Sequence, residues 1–170
     1  EHKNAQQHGP RKANHGLQNG AQAAAAEHMF THLFADAALE QARLADAQRR
    51  ALASGSQLGV MHGLPITIKD NFDVLGHTTM AGTVVCEGEA VATQDAPSVA
   101  RLRQAGAVFL GKTNMSEFAF SGVGINPHYG TPRNPSDAAV ARAPGGSSAG
   151  AAVSVALGLA VAGLGSDTGG

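Results

Sequence analysis

The chain has 170 residues and 17.1 kDa, with 43% hydrophobic residues and a formal net charge of −1. That is one domain's worth of material, able to fill a core; its balanced charge excludes a dominant nucleic-acid-binding surface, and the lack of a long apolar run excludes a membrane-spanning helix. One cysteine, Cys86, excludes an internal disulfide and fits a reducing, cytoplasmic setting. No charged-then-apolar leader opens the chain, and its first residue is Glu1 rather than Met, so the natural start is expected upstream.

Residues 1–30 are polar and broken by Gly9-Pro10 and Gly16, which predicts a solvated, mobile arm. Four of the eight histidines lie there (His2, His8, His15, His28), but without paired ligand spacing they suggest no metal site. Residues 31–170 are expected to form the folded part. From Phe30 to Ser54 the sequence reads as helix, with Phe34, Ala38, Ala42, Ala45 and Leu52 roughly on one face and Gly55 as the stop.

Beyond Gly63 the pattern alternates. Pro65-Ile66-Thr67-Ile68-Lys69 is a short β-branched strand ended by Asp70-Asn71. Asp95-Ala96-Pro97 reads as a helix start with a capping carboxylate and a first-turn proline, and Gly106 as its end. Ala107 to Leu110 is a second strand leading into Gly111-Lys112, and residues 126–137 a loop rich in turn formers. Pro144-Gly145-Gly146-Ser147-Ser148-Ala149-Gly150 opens an Ala/Val-rich helix from about Ala151 to Leu157. Leu159 to Gly163 is a third strand, before Gly165-Ser166-Asp167-Thr168-Gly169-Gly170. Strand, helix, strand, helix, strand predicts an α/β fold with a mixed, largely parallel central sheet flanked by helices.

Three features could carry chemistry. Backbone amides at the Gly145–Gly150 helix start could hold a phosphate or a developing oxyanion. A phosphate loop would want GxxxxGK[ST] or GxGxxG after a strand, and neither is present. The paired hydroxyls of Ser147 and Ser148 instead offer proton donors and acceptors. Lys69 and Lys112 each end an apolar strand, where open α/β sheets place their sites. Burial would lower either amine's pKa toward a useful base, although most lysines are only surface cations. Spacing does not choose between them. The terminal Asp167-Thr168-Gly169-Gly170 allows the close backbone approach that oxyanion-binding amides need.

Taken together, Gly63–Asn71, Gly111–Phe118, Gly145–Gly150 and Gly165–Gly170 resemble the amidase signature family over roughly residues 31–170. The resemblance implies a Ser-cisSer-Lys triad. Its catalytic lysine falls on Lys69, leaving Lys112 a structural or loop-positioning role. The serine after a cis peptide bond falls on Ser147, supported by Gly145, Gly146, Ser148 and Asp167, and the oxyanion amides fall on Thr168, Gly169 and Gly170. The nucleophilic serine is expected directly after Gly170, so this stretch alone is expected to be an inactive, truncated part of the fold. The implied reaction hydrolyses a small carboxamide to acid plus ammonia or amine through an acyl-enzyme. It uses no metal or organic cofactor and no nucleic-acid partner, and is compatible with a homodimer. Within the family, the alternative is the A subunit of glutamyl-tRNA amidotransferase, which typically carries Asp where this chain has Ser116 and differs from Phe120-Ser121-Gly122-Val123 beyond it. Outside it stand a non-catalytic nucleotide-binding domain using Gly145–Gly150, and an amide hydrolase built on Cys86.

Overall fold

Strand β2 (Pro65–Lys69) lies at the centre of the fold because its alternation serves two buried faces at once. The computed structural model describes residues 25–53, 57–137 and 139–169. Among these, the sheet has the order β1-β3-β2-β4, with β1 Phe30–Leu33, β3 Val108–Thr113 and β4 Ala162–Leu164. β2 runs parallel to both β3 and β4, while β1 pairs antiparallel with β3 at the edge. The fold is therefore the α/β arrangement with a mixed, largely parallel sheet that the alternation predicts.

One face of the sheet is apolar. Ile66 and Ile68 pack with Phe34, Val74, Val99, Ala107 and Phe109 to form the core. Helix α1 (Ala35–Ala51) buries Ala38 and Ala45 on this side, and α2 (Pro97–Gln104) buries Val99. Arg103 lies over the Phe109 ring at 4.6 Å while its guanidinium grips Asp95 at 2.6 and 2.9 Å. The opposite face of β2 is polar: Thr67 Oγ1 meets Ser154 Oγ of α3 (Ala149–Ala156) at 3.0 Å, with both side chains sealed from water. Ser154 also bonds the Ala151 carbonyl at 2.7 Å, so this buried hydroxyl pair is satisfied.

Several boundaries differ from the sequence reading. Residues 30–33 form a strand rather than the first turn of a helix, because Phe30, His32 and Leu33 find register partners far along the chain in β3. Ala42 is exposed and Leu52 only partly covered, so the apolar stripe of α1 is narrower than expected. Helix α2 starts at Pro97 as anticipated, but Asp95 does not cap it; its carboxylate serves the Leu75 N–H and Arg103 instead. β3 runs on through Lys112 and Thr113, and β4 begins only at Ala162. Most of the predicted arm, residues 1–24, and the stop at Gly55 lie outside the described residues. The arm's last residues are packed, since Ala25 and Met29 are each 2% exposed and the Met29 carbonyl accepts from the Asn114 N–H. Its boundary at residue 30 is therefore too late.

Candidate functional site

A β-bulge separates the two lysines. Ile66 pairs with Phe109, but Ile68 pairs with Lys112, so β3 has one residue more than β2 across this interval. Lys112 therefore shares the face of Ile68, whereas Lys69, one residue on, points to the opposite face. The outcome is two buried amines in unlike company. Lys112 Nζ pairs with Asp70 Oδ1 at 2.7 Å, both side chains being 1% exposed, and also donates to the Thr78 carbonyl and Thr79 Oγ1. Asp70 further accepts from Thr31 Oγ1 at 2.6 Å and from the Met80 N–H. Lys112 is thus tied into a buried ion pair, more than a loop prop.

Lys69 keeps the company of hydroxyls and a carbonyl instead. Its Nζ donates to Ser147 Oγ at 2.8 Å, to the Ser166 carbonyl at 3.1 Å and to Ser166 Oγ at 3.0 Å. The residue is 0% exposed, and burial pushes its pKa below the ordinary value of 10.5, with the charge of nearby Asp167 pulling partly the other way. Asn71 Nδ2 donates to the same Ser166 Oγ at 2.8 Å. Among the described residues, Asn71 Oδ1 and Ser116 Oγ are buried without a hydrogen-bond partner, a burden of about 1–3 kcal/mol each.

The glycine-serine segment reaches Lys69 by a sharp turn. Gly145 and Gly146 take left-handed φ values of 82° and 70°. Every peptide bond among the described residues is trans, so the cis bond expected before Ser147 is not present; the two glycines reverse the chain without one. Gly150, in the first turn of α3, lets the helix sit directly on the backbone: a Cβ there would lie 2.4 Å from the Met29 carbonyl oxygen and 2.8 Å from that of Asn114. Ser148 turns away from Lys69 and holds the Ser166 backbone, with Oγ 3.3 Å from its carbonyl and 3.4 Å from its N–H.

The three glycine amides of the suggested phosphate loop are already engaged. Gly145 N–H donates to the Val123 carbonyl, Gly146 N–H to that of Gly122, and Gly150 N–H to that of Asn114. These glycine amides are thus not open to the phosphate of the nucleotide-binding alternative. Ser147, Ser148, Ser166, Asp167, Thr168 and Gly169 instead border an open cavity of about 600 Å³, walled opposite by Ala119 to Gly122. Gly169 N–H bonds Asp167 Oδ1 at 3.1 Å, and Gly170 lies outside the described residues. Cys86, a free and half-buried thiol, does not border this cavity. Among the described residues, no cluster of three or more His, Cys, Asp or Glu could hold a metal ion, and no helix is long and apolar enough to cross a membrane.

Three polar residues of the quoted motifs were assigned no role in the sequence reading. Ser166 and Asn71 touch the Lys69 network, and Asn114 holds the His28 and Gly130 carbonyls through Nδ2. Asn71 directly follows the strand-ending Lys69-Asp70, which was the available signal; nothing local marks the others.

Over residues 16–170 the chain matches the protein family described as Amidase, so the match reaches into the segment read as an unrelated arm. The A subunit of glutamyl-tRNA(Gln) amidotransferase from Acidothermus cellulolyticus is 44% identical over 145 residues, which cover 85% of this chain and 28% of that protein. The 2-amino-5-chloromuconic acid deaminase of Comamonas testosteroni is 46% identical over 119 residues, 70% of this chain and 26% of the relative. Among solved structures, a crystal structure of an amidase aligns with a TM-score of 0.72 at 40% identity, covering 87% of this chain and 32% of that one. Peptide amidase from Stenotrophomonas maltophilia aligns at 0.66 and 40% identity, over 79% of this chain and 27% of that one. The chain thus spans between about a quarter and a third of the length of these relatives.

Proposed function

The chain belongs to the amidase signature family, and on that premise we propose that it supplies the proton-handling part of an amide hydrolase, with Lys69 as general base and Ser147 as relay. The observation that carries this reading is the 2.8 Å contact between Lys69 Nζ and Ser147 Oγ, made by an amine whose burial favours its neutral form. A neutral amine has two N–H donors and one lone pair. The Ser166 carbonyl and hydroxyl accept the two N–H groups, which leaves the lone pair facing the Ser147 hydroxyl.

In the proposed reaction the nucleophile is a serine expected directly after Gly170. Its hydroxyl proton passes to Ser147 Oγ as the Ser147 proton passes to Lys69 Nζ, and its oxygen attacks the carboxamide carbon. The amides of Thr168, Gly169 and Gly170 face the developing oxyanion; Gly169 must exchange its bond to the Asp167 carboxylate to do so. The relayed proton then returns to the leaving ammonia or amine. Water, activated along the same relay, hydrolyses the acyl-enzyme. Gly145, Gly146 and Ser148 shape the turn and pin Ser166.

The substrate in this reading is a small carboxamide, in a cytoplasmic setting; a homodimer is a further expectation for sedimentation to check. Two neighbours at 40% identity are named as amidases. The relatives that are amidotransferase A subunits support a second reading, in which ammonia is released from glutamine. Ammonia release from simple carboxamides and from glutamine, measured on a chain carrying the whole amidase domain, separates the two. Lys69→Ala should reduce kcat by at least about 10²–10⁴-fold, and a folded Lys69→Ala variant with native turnover would remove Lys69 from the role of base.

A further inference from the structure

A lysine amine on a four-carbon stem is mobile unless several partners fix it. Among the described residues, two of the three hydrogen-bond acceptors of Lys69 Nζ belong to a single residue, Ser166, through its carbonyl at 3.1 Å and its hydroxyl at 3.0 Å. That hydroxyl is held in turn by Asn71 Nδ2 at 2.8 Å. Asn71 stands two residues beyond the end of β2 and Ser166 two beyond the end of β4, so the contact ties together the ends of two adjacent parallel strands beside the cavity. We propose that Asn71 and Ser166 are positioning residues for the base: the Asn71 amide fixes the Ser166 hydroxyl, and Ser166 fixes the Lys69 amine so that its remaining direction meets Ser147. The inference rests on Lys69 being the base.

Two independent observations support it. Ser148 pins the Ser166 backbone from the other side, so both Ser166 groups that touch Lys69 are held. Asn71 keeps Nδ2 on Ser166 although, among the described residues, its Oδ1 is sealed from water without a partner, an orphaned atom of the kind that calls for a functional explanation. Among the described residues, the charged surroundings are sparse. Asp167 follows Ser166 and faces Lys69, α3 carries no charged residue, and Asp70 and Lys112 are paired to each other on the opposite face of the sheet.

The test is the pH dependence of kcat/KM for a simple carboxamide, in a chain carrying the whole amidase domain. Hydroxyl acceptors favour the ammonium form, so Ser166→Ala should lower the Lys69 pKa further and move the acidic limb to lower pH. The kcat should fall by about 10–10²-fold from misplacement of the amine, with KM nearly unchanged and Ser166→Thr restoring both. Asn71→Asp places a carboxylate near Lys69 and should move the limb the opposite way. A purely structural role of Ser166 would leave the limb of Ser166→Ala in place. A downward shift in Ser166→Ala with the kcat loss and its recovery in Ser166→Thr supports the proposal; an unmoved limb, or native kcat, in folded Ser166→Ala overturns it. If Ser166→Ala fails to fold, Asn71→Ala decides: by freeing the Ser166 hydroxyl it should lower kcat with KM nearly unchanged, and native kcat in the folded variant overturns the proposal. Native turnover in Lys69→Ala would instead sink the reading of Lys69 as base.

Discussion

Replacing Lys112 by methionine keeps the stem volume and removes one charge from a pair whose side chains are each 1% exposed. At the observed 2.7 Å, two unit charges attract by about 6 kcal/mol at an effective dielectric of about 20. Desolvation offsets much of that in the intact pair, so the net worth of the bridge is small. Removing one partner is different, because Asp70 would stay buried without its counter-charge, at a cost of about 3–5 kcal/mol. The Thr78 carbonyl and Thr79 Oγ1 lose their donor as well. Against a typical domain stability of about 5–15 kcal/mol, this is a large fraction. The assay is urea unfolding, read as a fall in midpoint at constant slope. Adding Asp70→Asn, which removes the orphaned charge but keeps an acceptor for the Met80 N–H, should recover part of the loss. A loss under about 1 kcal/mol for Lys112→Met, or no recovery in the double variant, would refute the buried-pair argument.

Other expectations follow from the same geometry. Lys69→Met should stabilise the fold at neutral pH: the buried amine binds its proton less tightly folded than unfolded, so native stability rises with pH between the lowered Lys69 pKa and its ordinary 10.5. The advantage of Met over Lys should be greatest below that window and fade through it, as urea midpoints across pH will show. Gly150→Ala should cost about 1–3 kcal/mol or more by thermal melting, since its methyl meets the Met29 and Asn114 backbone rather than a side chain that can move. Asn126→Ala should cost on the order of 3 kcal/mol. Its Nδ2 serves the Gly82 and Met115 carbonyls and its Oδ1 the His128 and Tyr129 N–H groups, so hydrogen exchange should accelerate at His128 and Tyr129.

The elements read well from sequence are those with local signals. The β-branched alternation of Pro65–Lys69 marks β2 from end to end, and Pro97 marks the start of α2. Strand β1 was hidden, because Phe30-Thr31-His32-Leu33 adjoins an alanine-rich helix and its partners lie far along the chain. The difference between Lys69 and Lys112 was hidden for a related reason: it depends on a bulge in β3, and bulges leave no periodic trace. The sequence pointed to Lys69 and Ser147 together only through a family resemblance, whose motifs contain Ser166 and Asn71 without assigning either a role. Polar contacts between distant loops have no spacing rule to reveal them.

The separation along the chain of the groups around Lys69 bears on how the molecule forms. Ser147 lies 78 residues after Lys69, and Ser166 lies 97 after it. Both arrive with α3 and β4, which are made later than the rest of the sheet during synthesis, through parallel pairing that must close long loops first. Until β4 docks, Lys69 lacks its Ser166 partners and stands as a hydrated ammonium at the rim of the sheet. The amine loses its water, and with it the preference for the protonated form, only when that strand comes home. The burial that disfavours the Lys69 ammonium is therefore completed only by the last strand of the sheet in chain order.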